Sequence, residues 1–398
     1  MQAQRRIPEL DGLRGVAIGL VLFYHCFFLI AEVRPGSALS YLFSVGRLGW
    51  SGVDLFFVLS GFLIGSILLD ARGASNFYPV FYTRRFFRIV PAYSILLLTY
   101  IVLSNLAAGQ VGLRLVADCP LPVAPYFLFL QNFWMGAHNT LGGTTLGVTW
   151  SLAIEEQFYL TLPLLIRFTP SRRLVSVLLA GVGLAEVLRV VLYWSQPANW
   201  AYYRVLMPCR ADALLLGVLG AYAMKELNWR NWLENRRRYL WIPLSVLAMG
   251  MGIMVKVLPK TGDVLLAAGG YTVIALFFLS LLMYALLVRE SWLSRCLRWN
   301  WLRAFGTIAY GTYLFHFLIF NAFFAIFRAS APRIVTSRDL LIACAGLVAT
   351  FAVCALSWRY FEKPLVRKGH LQEYQFETKD AEEAVFVGVG NPETVDVC

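Results

Sequence analysis

Apolar residues run along this chain in blocks of about twenty, separated by short polar segments rich in arginine and lysine. A membrane-spanning helix needs about 20 predominantly apolar residues. On that rule the pattern predicts ten spans, near 11–31, 48–70, 89–108, 147–167, 174–194, 205–224, 240–257, 264–288, 304–327 and 339–359. The stretch 126–134 is apolar but too short to cross, and reads as a re-entrant or interfacial piece. The first block differs from the others in carrying Asp11, Arg14 and His25. At about 100° per residue, His25 returns within about 20° of Arg14 and about 40° of Asp11, so all three share one helix face. Ionisable side chains inside a span are costly and turn toward a bundle interior or wet cavity, which makes this face the first candidate for function.

Composition agrees with the pattern. With 59% hydrophobic and only 15% charged residues in 398, the chain is too apolar for a soluble globule and reads as an all-α, polytopic integral membrane protein. Its net charge of +12 does not imply a nucleic-acid partner, because basic residues in such a protein mark the cytoplasmic loops. Placing the N-terminus inside collects 24 of the 35 Lys and Arg in cytoplasmic segments. That bias predicts cytoplasmic N- and C-termini and a multi-pass protein of the inner (plasma) membrane, with membrane lipids as its surroundings. Residues 1–369 form the membrane domain. Residues 370–398, with seven acidic residues against one lysine, read as an acidic, disordered cytoplasmic tail. No cleavable signal peptide is expected, since the first apolar block is long and interrupted by charge. The seven cysteines show no metal-ligand spacing and read mostly as small core residues.

Several motifs then stand in order: Leu10-Asp11-Gly12-Leu13-Arg14-Gly15 with His25, Gly52-Val53-Asp54-Leu55-Phe56-Phe57-Val58-Leu59-Ser60-Gly61-Phe62, and Arg84-Arg85-Phe86-Phe87-Arg88-Ile89-Val90-Pro91. They are followed by Thr149-Trp150-Ser151-Leu152-Ala153-Ile154-Glu155-Glu156-Gln157-Phe158-Tyr159, Arg210-Ala211-Asp212-Ala213, Tyr313-Leu314-Phe315-His316 and Phe361-Glu362-Lys363-Pro364. From Ile7 to Arg367 the chain resembles the membrane acyltransferase 3 family, whose members acylate sugar hydroxyls. The resemblance implies that His25 is the catalytic residue, that Arg14 and the pair Arg85 and Arg88 matter for activity, and that the donor is cytoplasmic acyl-CoA, acetyl-CoA first among the candidates. It implies no permanently bound cofactor. It leaves the acceptor open among a glycan, a lipid-linked sugar and a macrolide.

The residues fit that expectation physically. Eleven residues at 1.5 Å rise separate Arg14 from His25 by about 16 Å, comparable to an extended pantetheine arm. Arg14 would hold the nucleotide end, and Arg85 and Arg88 offer planar forks suited to phosphate. Counted by depth, His25, Asp54, Glu155, Glu156, Arg210, Asp212 and His316 fall in one outer-half layer. In that layer His25 would serve as base or as acyl carrier, with Asp54 or one of Glu155 and Glu156 orienting it, while Arg210, Asp212 and His316 meet the acceptor. Plainer readings compete. Asp54, Glu155 and Glu156 would then be ion-pair partners of Arg210 or Arg189, His25 an interhelical hydrogen bond, His316 a packing residue and Arg85 and Arg88 positive-inside anchors. Gly12, Gly15, Gly52 and Gly61 would only allow close helix approach. The functional expectation is an O-acyltransferase moving an acetyl or other short acyl group. Its rivals are a proton-coupled transporter and a non-enzymatic carrier of acyl or lipid groups.

Overall fold

The structure is a computed structural model. It describes residues 7–33, 46–107, 121–261 and 263–376, with positions 36, 37, 40, 43, 114, 116 and 117 in between. The described residues are overwhelmingly helical, with an isolated bridge between Ala31 and Ile334 as the only β pairing among them. Ten long helices among the described residues form the body. They are α1 (Pro8–Phe23), α2 (Gly52–Asp70), α3 (Phe77–Leu106), α4 (Thr149–Phe168) and α5 (Ser171–Ser195), then α6 (Met207–Lys225), α7 (Trp241–Thr261), α8 (Tyr271–Leu287), α9 (Ala309–Arg328) and α10 (Ser337–Ser357).

Among the described residues, nine helices are long and apolar enough to cross a membrane. The chain is a multi-pass membrane protein. Nine of the ten expected spans therefore appear as such, and the expected 147–167 span is α4, a 20-residue helix kept out of that set by Glu155, Glu156 and Gln157. The reason is local: α4 turns those polar residues toward its neighbours instead of lipid.

Helices α2 and α6 sit innermost, with 78% and 72% of their central windows buried, whereas α7 is peripheral at 6%. Glycine makes the α2–α6 crossing possible. A Cβ on Gly61 would stand 1.9 Å from the Leu214 carbonyl oxygen, and one on Gly217 2.2 Å from that of Val58. Only backbones without Cβ atoms can approach this closely. The same holds at Gly12 and Gly15, where Leu297 and Leu302 carbonyls press against α1.

Three departures from regular helix shape the bundle. First, α1 ends in a π turn at Tyr24–Phe28, closed by the Leu29 amide donating to the Tyr24 carbonyl at 3.0 Å; such turns recur at functional sites, and this one carries His25. Second, the apolar stretch 126–134 does not cross. It forms parts of two short helices, Ala124–Phe127 and Gln131–Ala137, tucked into the bundle by Gln131 donating to the Thr149 carbonyl (2.9 Å) and Tyr93 donating to the Tyr126 carbonyl (2.9 Å). Third, α10 continues through a π turn at Trp358–Glu362 into a helix at Lys363–Gly369 that packs on α3. Residues 370–376 then lie along the start of α3, where Ser75 donates its amide to the Gln375 carbonyl (2.8 Å) and Asn76 reaches Glu373 and Gln375. Residues 377–398, most of the tail expected to be disordered, lie outside the described residues. Cys26, Cys209 and Cys354 are buried, Cys296 is half-buried and Cys344 exposed; Cys119 and Cys398 lie outside the described residues.

Candidate active site

Two chambers meet inside the bundle. The first includes Arg14, in the first half of α1, and encloses about 1070 Å³ including its mouth. Its polar wall is built from Arg14 of α1, Ser60 of α2, Arg85 and Arg88 of α3, Glu155 and Tyr159 of α4, and Tyr310 and Tyr313 of α9. Arg85 and Arg88 share a wall because residues three apart lie on one helix face. Arg14 is held by Asp11 at 3.3 Å. Arg88 lies over the Trp358 ring at 5.4 Å, and the buried Arg85 Nε has no hydrogen-bond partner among the described residues. Ser60 and Tyr159 hydrogen-bond to each other, and both stand with Arg85 and Arg14 as the electrostatic neighbours of Glu155. The rest of the wall is apolar, from Phe56, Leu59, Leu63, Ile64 and Ile67. A cluster of guanidinium groups leading into an apolar channel suits a ligand with an anionic head and an extended, uncharged arm.

The second chamber, at the opposite end of α1, encloses about 990 Å³ including its mouth. It is lined by aromatic faces of Tyr24, Trp50, Trp150, Trp200 and Tyr271, with Arg47, Arg204, Arg210, Asp54 and His25 among them. Amphipathic rings interleaved with hydrogen-bonding groups suit a polyhydroxylated ligand. Val53 and Tyr313 belong to both chambers and form the wall between them. Tyr313 is fixed there by hydrogen bonds to Ser151 (2.6 Å) and to the Val148 carbonyl (3.0 Å).

His25 stands on the second-chamber side of that wall, with its Nδ1 3.0 Å from Nε2 of His316. His316 is fully buried behind it, its own Nδ1 2.7 Å from the Tyr313 carbonyl. Phe317 packs against both imidazoles, 4.7 and 4.5 Å between centroids.

The structure divides the expected outer-half layer between the two chambers and a set of ion pairs. His25, Asp54 and Arg210 line the second chamber, while Glu155 lines the first, with Arg14, Arg85 and Arg88. Thr145, Leu146 and Gly147, just before α4, and Thr149 at its start are all buried within the bundle. Of the adjacent glutamates, Glu155 faces a chamber; Glu156 lines neither. No carboxylate touches His25 among the described residues. Asp54 instead pairs with Arg210, both almost fully buried, and Arg210 lies 3.7 Å over the Tyr271 ring. Asp212 pairs with Arg189 at 2.9 Å, and Arg189 also binds Glu186, with the Thr272 hydroxyl 2.8 Å from Asp212 and 2.9 Å from Glu186.

Sequence reasoning passed over Tyr313 and Tyr159, although both stand inside quoted motifs. It also missed the tryptophans of the second chamber, which come from loops and helix starts whose convergence no periodicity signals.

The comparisons add to this geometry. The model of the acyltransferase 3 family, described as an acyltransferase domain, matches residues 7–359. The peptidoglycan O-acetyltransferase OatA of Listeria monocytogenes is 27% identical over 389 residues, covering 94% of this chain and 58% of that protein. The putative peptidoglycan O-acetyltransferase YrhL of Bacillus subtilis is 29% identical, covering 92% and 56%. The O-acetyltransferase OatA of Staphylococcus aureus is 26% identical, covering 93% and 58%. The chain thus spans under three fifths of the length of these relatives. No solved structure matches it.

Proposed function

The chain belongs to the acyltransferase 3 family, and from that premise we propose that it moves an acetyl or other short acyl group from cytoplasmic acyl-CoA to a hydroxyl of a glycan or glycoconjugate beyond the membrane. The observation that supports this reading is the meeting of the two chambers at Val53 and Tyr313, with His25 beside the junction. One chamber is arginine-rich on part of its wall and largely apolar on the rest; the other is aromatic. Acyl donor and sugar acceptor differ in the same way.

On this reading Arg14, Arg85 and Arg88 hold the phosphates of the donor, and the pantetheine arm follows the apolar wall past Tyr313. The spacing of about 16 Å from Arg14 to His25 along α1 sets the reach. The acceptor ring lies among Trp50, Trp150, Trp200 and Tyr271. His25 takes the proton of an acceptor hydroxyl as its oxygen attacks the thioester carbonyl. The tetrahedral adduct then collapses, the C–S bond breaks, and the proton passes from His25 to the leaving thiolate. The ester and free CoA are the products. Peptidoglycan is the acceptor class suggested by the names of the relatives, and the plasma membrane the site of action.

The test uses the purified chain in lipid vesicles, with labelled acetyl-CoA on the side of its N-terminus and soluble glycan fragments on the other. Transfer is expected for the wild type. His25→Ala should fold, melt near normally and bind acetyl-CoA, yet lose about 10²–10⁴-fold in rate, the usual contribution of a general base. Near-wild-type transfer by a well-folded His25→Ala protein would overturn the assignment.

A further inference from the structure

We infer that His316 is a positioning residue that fixes His25 in a single tautomer, with the Nδ1 proton directed at His316 and the Nε2 lone pair left to act as base. This rests on the proposed function only for its kinetic consequence; the tautomer follows from geometry.

The chain of hydrogen bonds has one polarity. The Tyr313 carbonyl oxygen can only accept, so His316 Nδ1, 2.7 Å from it, carries the proton. A neutral imidazole protonated at Nδ1 presents a lone pair at Nε2. That Nε2 lies 3.0 Å from His25 Nδ1, which must therefore be the donor. Only Nε2 of His25 then remains to accept a proton. The ring planes lie 9° apart with centroids separated by 5.1 Å. The two imidazoles therefore run nearly parallel, an orientation compatible with the 3.0 Å ring N–H···N bond.

The surroundings make the arrangement hold. His316 is fully buried on α9 and lines neither chamber, and Phe317 packs on both rings. The carbonyl of Tyr313 belongs to the residue that walls the two chambers, so His316 and the wall share one turn of α9 while the base they position comes from the π turn after α1. In many metal and acid–base sites a second group on the far nitrogen sets which nitrogen is reactive. Here a neutral histidine occupies the place where a carboxylate was expected. It lets His25 give up its Nε2 proton readily once the transfer step is complete, since no fixed negative charge stabilises the imidazolium.

Nitrogen-15 spectra of the histidine-labelled protein, assigned by signals lost in His25→Ala and His316→Leu, test the inference without substrate. The wild type is expected to show both His25 and His316 protonated at Nδ1 and bare at Nε2. In His316→Leu, His25 should move toward the Nε2-protonated form that free imidazoles prefer. Kinetically, His316→Leu should lower kcat about 10–100-fold with KM for both substrates changed less than about twofold. His316→Gln, whose side-chain oxygen can still accept from His25, should recover much of that loss. A wild-type His25 protonated at Nε2, or an unchanged tautomer in His316→Leu, would overturn the inference. Correct tautomers in a chain that transfers no acyl group would leave it standing and remove the proposed function instead.

Discussion

Asp54 lies in the second chamber with His25, yet its partner is Arg210, and separating these two roles decides whether it acts in chemistry or in packing. Asp54 is 1% exposed and Arg210 2%. Removing one partner of such a buried pair strands the other charge, at a cost of about 3–5 kcal/mol, whereas replacing both by groups of similar volume is often close to neutral. With an unfolding entropy of about 2.1 cal/mol/K per residue over 398 residues, each kcal/mol moves the midpoint by roughly 1 °C. Asp54→Asn and Arg210→Met should therefore each melt roughly 3–6 °C below wild type, and the double variant should recover most of that fall. Thermal unfolding in detergent gives the four corners of the cycle, and acyl transfer is measured on the same preparations. If Asp54 only balances Arg210, the double variant transfers acyl groups faster than either single one. Additive losses in melting would refute the pairing. A double variant that is stable but as inactive as Asp54→Asn would return Asp54 to the reaction.

Two further outcomes follow from the first chamber and its rim. Arg85→Gln and Arg88→Gln each remove a charge-assisted contact of about 1.5–3 kcal/mol, so calorimetry should find acetyl-CoA binding about 10–150-fold weaker in each, with acceptor affinity unchanged; unaltered binding would make these arginines topology anchors. His370, in the segment lying on α3 and outside the spans, has its pKa lowered from 6.5 to about 4, first by burial and then by Arg84, Arg85 and Arg88. Its folded state disfavours the proton, so docking of residues 370–376 is complete above pH 6.5 and is lost as pH falls toward 4. Hydrogen exchange of 370–376 across that range should show the release, and His370→Asn should flatten it.

The sequence by itself determined the membrane class, nine of the ten spans as spans, and the arginine pair on one face, because each follows from a property carried along a single helix. Apolar length sets a span, and the 3.6-residue period sets which side chains share a face. It also brought His25 and His316 forward as buried polar residues at similar depth. What it left to the tertiary structure was every pairing across helices. The two histidines lie 291 positions apart and Asp54 and Arg210 156 apart, and no local periodicity specifies which of several buried charges meets which. Periodicity does not say which chamber Glu155 lines, because that depends on how α2, α3, α4 and α9 pack around it. The wall at Tyr313 was decided in the same way: a motif named the residue, but only the crossing of α2, α4 and α9 puts its ring between two chambers and its carbonyl behind the base.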